Sequence, residues 1–141
     1  MSELRVKKVE TDQELEQVFK IRKEVFIEEQ NVPTEIEMDE FDETAEHFIA
    51  YIDEAPVGCA RLRRNGFVKL ERIAIIREQR NKGYGTQLTK YLIDISKKNN
   101  KEIMMHSQDY IKDFYKKFGF AIVGEPFYEA GIKHVKMVLK N

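Results

Sequence analysis

Arg77 to Gly85 reads REQRNKGYG and joins two stretches of different period. Before it, Lys69 to Ile76 (KLERIAII) is an apolar, strand-like run. After it, Leu88, Tyr91, Leu92 and Ile95 recur at the i, i+3, i+4, i+7 spacing of an amphipathic helix. A strand, a glycine turn and a helix start in that order make an anion site. The first-turn N–H groups have no partner within the helix, and the helix dipole adds partial positive charge there. Gly83 and Gly85 carry no Cβ, so a phosphate can come close to the backbone. Arg77, Arg80 and Lys82 add cations. The expectation is a pyrophosphate held by Arg80, Asn81, Lys82, Gly83, Tyr84, Gly85 and Thr86.

Working outward, Leu4, Val6 and Val9 begin a short strand, and Thr11 with Glu14 three residues on gives a capping-box start to a helix. Leu15, Val18, Phe19, Val25 and Phe26 form its apolar stripe, with Arg22 set inside that stripe. After Asn31-Val32-Pro33 the acidic segment TEIEMDEFDETAEH reads as irregular. His47–Ile52 and Val57–Arg63 read as strands around a hairpin turn at 53–56, and Asn65-Gly66 turns the chain into the strand that ends at Ile76. The helix after the glycine loop is predicted to run to about Lys98 and stop at Asn99-Asn100. A strand over Glu102–His106, a helix over Asp109–Phe118 closed by Gly119, and strands over Phe120–Val123 and Val135–Leu139 follow, with a loop over 125–133. The order β-α-β-β-β-α-β-α-β-β predicts one α/β or α+β domain over residues 1–141, antiparallel in its first half.

The 141 residues are 42% hydrophobic and 35% charged with a net charge of −1, which allows a core and gives no bulk attraction to nucleic acid. One cysteine, Cys59, permits no internal disulfide, and no run reaches membrane-spanning length, so the expected setting is the cytoplasm, with no membrane partner. His47, His106 and His134 have no metal-ligand spacing, and no metal is expected. Charge is uneven. Residues 24–60 hold twelve acidic residues and no lysine or arginine, while residues 61–82 hold eight basic and two acidic ones. Two solvated faces, or an acidic half for a cationic acceptor beside a basic half for a phosphorylated donor, both fit that pattern.

A P-loop would need G-x-x-x-x-G-K-[ST], and a dinucleotide loop G-x-G-x-x-G at the first strand-helix turn; neither is present. What Arg80-x-x-Gly83-x-Gly85 resembles is the R/Q-x-x-G-x-G/A signature of the GNAT-type N-acetyltransferases. LERIAI resembles that family's fourth strand, and HSQDYIKDFYKKFGF its second cofactor-contacting block. IRKEVFIEEQNVPTEIEMDEFDETAEH and YEAGIKHVKM resemble the small bacterial YjcF-like subgroup. The likeness spans nearly the whole chain. It implies the GNAT fold, a mixed and mostly antiparallel sheet flanked by helices. It also implies transfer of an acetyl group from acetyl-CoA to an amine by direct attack in a ternary complex.

That chemistry needs a base for the ammonium, donors for the oxyanion and a group to receive the thiolate. The resemblance gives Tyr115 as the acid; the same residue also fits the apolar stripe of Ile111, Phe114 and Phe118. Glu71 interrupts the apolar strand just before the loop and is the candidate base, the alternative being a pair with Arg61 or Arg63. Alternation would put Glu71, Ile73 and Ile75 on one sheet face. The resemblance assigns pantetheine and acyl-oxygen contacts to the backbone of Ile73, Ala74 and Ile75, which needs this strand to splay from Glu102–His106. Gln108 and Phe114 complete the expected cofactor contacts. Arg22 and His47 are candidate acceptor contacts, each with a structural alternative, and Arg22 favours an ion pair with the acidic segment. The expected acceptor is a small primary amine such as an amino sugar or polyamine. An amino-sugar phosphate, a non-catalytic acyl-CoA-binding module and a homodimer are left open.

Overall fold

The computed structural model describes residues 3–99 and 101–140, so Asn100, half of the predicted helix stop, lies outside the described residues. The strands are β1 (Leu4–Lys8), β2 (Glu46–Ile52), β3 (Ala55–Arg64), β4 (Phe67–Ile75), β5 (Glu102–Gln108), β6 (Phe120–Glu129) and β7 (Ile132–Leu139). The helices are α1 (Asp12–Arg22), α2 (Thr34–Glu37), α3 (Tyr84–Ser96) and α4 (Lys112–Lys116). The sheet order is β1-β2-β3-β4-β5-β7-β6, and β4–β5 is the parallel pair within an otherwise antiparallel sheet.

Thr11 caps α1 in a full capping box with Glu14. Beyond Arg22 the helix widens into a π-helical stretch over Lys23–Glu29, a form that recurs at functional sites. One sheet face packs on α1 through Val18, Ile21, Val25, Ile49, Cys59 and Ala74. The other packs on α3 and α4 around the fully buried Leu88 and Leu92 with Leu62, Leu70, Met105 and Met137. Each such leucine contributes about 1.5–3 kcal/mol of burial.

Two boundaries differ from the sequence reading. The predicted loop over 125–133 is instead a long hairpin. After a register shift between Val123 and Phe127, β6 resumes pairing and runs to Glu129 before the turn at Ala130-Gly131. Gly124 and Pro126 argue for a loop on composition, yet β6 is an edge strand, where a missing N–H costs nothing. The helix over Asp109–Phe118 is shorter: a 3-10 turn over Asp109–Ile111 leads into α4.

The acidic segment is ordered by pairing. Arg22, with no exposed surface, donates from Nε to Glu37 Oε2 and from Nη1 to Asp42 Oδ1, both at 2.6 Å. Arg61, 1% exposed, donates to Asp39 at 2.6 Å and to Asp42 at 2.9 Å. Arg72 pairs with Glu37 at 3.0 Å and with Asp39 at 3.2 Å. Glu37, Asp39 and Asp42 are therefore each paired with arginines.

Removing one partner from such a network strands buried charge, which costs about 3–5 kcal/mol. Arg22→Met is expected to lose that much stability in chemical denaturation. Burial works to raise Asp39 and Asp42, but the guanidinium hydrogen bonds outweigh it and hold both below the usual carboxylate range. A depressed folded value adds stability above the ordinary pKa, about 3.9, and that stability is lost as pH falls through the lower folded value. Thermal midpoints measured from pH 7 to pH 3 are expected to fall less steeply in Asp42→Asn than in the wild type.

Candidate active site

Pairing of β4 with β5 runs from Phe67↔Glu102 to Leu70↔Met105 and stops, while both strands continue. Across the other edge, Glu71 pairs with Arg61 and Ala74 with Cys59, so β4 spends one residue more than β3 over this span. Arg72 takes up that residue with φ of 54°, a left-handed value unusual for a side chain of this size. The bulge overturns the expected alternation. Glu71 lies toward the arginine network and Ala74 packs in the α1 core, whereas Ile75 packs, with Ile73 against it, in the α3 core.

Beyond the split, β4 has no ladder partner on the β5 side. Ile76 N–H bonds Val57 C=O at 2.9 Å, so strand alternation turns the backbone of Ile75 to the opposite edge. There Ile75 C=O accepts from Arg80 Nε at 2.8 Å. Gly83, at φ of 85°, ends the turn and starts α3. The first intrahelical bond at this end is Gln87 N–H to Gly83 C=O, which leaves the N–H groups of Gly85 and Thr86 without an acceptor in the helix.

These parts line one cleft of about 490 Å³, a size suited to a small ligand. Ile73, Ala74, Ile75, Arg80, Asn81, Gly83, Gly85, Thr86, Phe114 and Tyr115 all face it. We call it the loop cleft. Among the expected loop contacts, Lys82 and Tyr84 are not part of its wall. Lys82 Nζ donates to Gln79 Oε1 at 3.1 Å, and the Tyr84 ring is buried in the α3 core. Arg80 is not a free cation: Glu29 accepts from its Nη1 and Nη2, both at 2.9 Å. The widened end of α1 brings Glu29 there.

A second cavity, the hairpin cavity, lies on the other side of the split and includes Glu71, Arg72, Met105, His106, Gln108, Glu129 and His134. Phe26, Gln30, Ile73, Tyr110, Ile111 and Tyr115 line both spaces, so the two adjoin along these residues. The Tyr115 side chain is 8% exposed and sits edge-on to Phe114 and Phe120. Burial, with Tyr110 nearby, pushes its hydroxyl well above the ordinary phenol value, so it keeps its proton at neutral pH and can donate a hydrogen bond.

Several expected site residues sit elsewhere or are already engaged. Glu71 reaches the hairpin cavity, but Arg63 Nε donates to its Oε1 at 2.6 Å, Arg61 Nη2 donates to it at 3.0 Å, and Lys69 lies 3.4 Å from Oε2. Burial works to raise this carboxyl, yet Arg63 and the charges of Arg61 and Lys69 prevail and hold it below the usual range, which makes it a weak proton acceptor. Arg22 is buried in its ion pairs and lines neither space. His47, 6% exposed, meets the Asp42 carbonyl through Nε2 at 2.8 Å and packs edge-on to Phe19. Gln108 belongs to the hairpin cavity rather than the loop cleft, and its Nε2 donates to Gln30 Oε1 at 2.8 Å. Cys59 is buried, its thiol raised to about 12 by desolvation.

Sequence reasoning missed Phe26, Gln30, Tyr110 and Glu129. Phe26 was assigned to the core stripe, and only the wide turn after Arg22 gives it a place between the two spaces.

An anion-binding helix start, an unpaired strand edge and a buried hydroxyl at the end of one cleft suit an elongated ligand with a phosphorylated end. Comparison with known proteins gives the family. The acetyltransferase (GNAT) domain family matches residues 6–141. YjcF of Bacillus subtilis, an uncharacterized N-acetyltransferase, is 37% identical over 130 residues, covering 90% of this chain and 93% of that protein. An acyl-CoA N-acyltransferase from Pseudomonas aeruginosa superposes with a TM-score of 0.88 at 25% identity, covering 99% of this chain and 100% of that one. A Bacillus subtilis acetyltransferase solved with CoA shares the fold at a TM-score of 0.71 and 23% identity, covering 99% of each chain. By its sequence, its split sheet and its glycine loop, this chain belongs to the GNAT acetyltransferase family.

Proposed function

We propose that the protein transfers an acetyl group from acetyl-CoA to the primary amine of a small molecule, by direct attack while both substrates are bound. The observation that carries this reading is that two adjoining spaces share Tyr115 in their walls, one running to the start of α3 and one to the β6–β7 hairpin. A donor entering along the loop cleft and an acceptor entering from the hairpin cavity would bring their reacting atoms together there. Such placement can supply about 7–11 kcal/mol of the barrier when the reacting groups are well oriented.

Each part of the loop cleft has a role in that scheme. The N–H groups of Gly85 and Thr86, with Asn81 and Arg80, hold the pyrophosphate, and Arg80 exchanges part of its Glu29 contact for it. The unpaired edge of β4 at Ile73–Ile75 holds the pantetheine amides and faces the acyl oxygen as charge develops on it. Phe114 covers the arm. Tyr115 gives the departing sulfur a hydrogen bond. On the acceptor side, neutralisation of Glu37, Asp39 and Asp42 by arginines supports a neutral or singly charged amine over a polycation.

Three measurements test this. Incubation with acetyl-CoA and either glucosamine, glucosamine 6-phosphate or spermidine, read by free thiol, is expected to release CoA fastest with glucosamine. Release equal to the amine-free rate with every amine would favour an acyl-CoA-binding module. Tyr115→Phe is expected to lower kcat about 10–100-fold, as for loss of a proton-donating group, with acetyl-CoA affinity unchanged in calorimetry. Gly85→Ala places a methyl only 3.7 Å from the Phe114 ring, an ordinary contact, so the variant should fold. Because the new methyl lies at the wall of the loop cleft, KM for acetyl-CoA is expected to rise about tenfold, a shift of about 1.4 kcal/mol.

A further inference from the structure

The β4–β5 ladder ends at Leu70↔Met105, so the first residue past the split is Glu71 on one lip and His106 on the other. Both line the hairpin cavity, as does Tyr115. Glu71 is committed to Arg61, Arg63 and Lys69. His106 is arranged differently. Its Nδ1 lies 2.9 Å from Glu129 Oε1, and its ring stands edge-on to Phe127 with centroids 4.9 Å apart. Its Nε2 has no hydrogen-bond partner among the described residues. The side chain is 27% exposed and thus open to the cavity.

We propose that His106 is the general base of the acetyl transfer, with Glu129 as the positioning residue that orients its ring; this rests on the acetyltransferase reading above. A carboxylate on Nδ1 fixes the tautomer with the proton there, which leaves the Nε2 lone pair to accept a second one. An alkylammonium with a pKa of about 10.4 is almost wholly protonated at neutral pH, so attack needs such an acceptor. Nε2 takes one proton from the ammonium, and the freed lone pair of the amine forms the C–N bond to the acyl carbon. The C–S bond then breaks, and its electron pair leaves on sulfur, hydrogen-bonded by Tyr115. The second nitrogen proton passes to that thiolate, giving amide and thiol, and imidazolium returns its proton to solvent.

Other charged groups face His106 as well. Lys136 stands beside it in the β5–β7 register, and His134 on β7 stacks on the same Phe127. Lys69 and Glu71 stand on the β4 lip. The β6 extension that the sequence reads as loop is what delivers the Glu129 carboxylate.

The test is the pH dependence of kcat/KM for the best amine of the panel, in wild type, His106→Ala, Glu129→Gln and Glu129→Asp. His106→Ala is expected to lose about 10²-fold in kcat at pH 7, to lose the acidic limb, and to bind acetyl-CoA within twofold of wild type by calorimetry. Glu129→Gln should move the acidic limb to lower pH, because the neutral amide no longer stabilises imidazolium, and Glu129→Asp should restore most of the shift. A purely structural role would lower activity without moving the limb. Should His106→Ala fail to fold, His106→Gln gives the same reading. An acidic limb unchanged in the histidine variants, with wild type active, overturns the base assignment alone. Absence of thiol release from wild type with every amine overturns the acetyl-transfer reading and the base together.

Discussion

One extra residue in β4 sets the geometry on which the rest of the site depends. Holding Arg72 in a left-handed conformation lets Glu71 and Arg72 both project toward the α1–α2 side while Leu70, Ile73 and Ile75 pack toward α3. A regular strand would continue its parallel ladder with β5 and leave no gap between them. With the bulge, pairing ends at Leu70↔Met105, and the two strands diverge around a passage that reaches Tyr115. A bulged, non-glycine residue with positive φ persists only when its surroundings hold it. Here Glu37 and Asp39 do so, through ion pairs to the Arg72 guanidinium.

The arginine and carboxylate network is thus part of the site without touching the chemistry. Arg22 and Arg61 tie α2 and the turn at Glu40–Glu43 to the sheet, and the same carboxylates pin Arg72. Buried ion pairs of this kind add little net stability over apolar packing, so their worth here lies in geometry. That the acidic stretch and the basic stretch face each other also explains the charge asymmetry of the sequence. Glu29, Glu37, Asp39, Asp42 and Glu46 of the acidic stretch are paired with arginines in this way.

Legibility in the sequence followed the range of the interaction. The glycine turn, the helix after it, the Thr11 capping box and the order of elements along the chain are set by neighbours within a few residues, and each was readable. Tyr115 was reachable through the likeness of its block to known acetyltransferases, and the structure brings it to the junction of the two spaces. Glu71 was placed on the correct strand and the wrong face, because period-2 alternation has no term for a bulge. Glu129 was missed since glycine and proline in β6 signal a loop, and only an edge position makes them compatible with a strand.

By itself the sequence determined the order of elements, the glycine turn before α3 and the membership of the chain in its family. Those rest on local periodicity, glycine placement and motif spacing. The tertiary structure alone decided which charged groups are free to act. Whether Glu71, Arg22, Arg80 or His106 has an open valence depends on partners 8 to 51 residues away in the chain, brought within hydrogen-bond reach by sheet register and helix packing. No local pattern encodes such pairings, because the Coulomb and desolvation terms that govern them depend on distance in space.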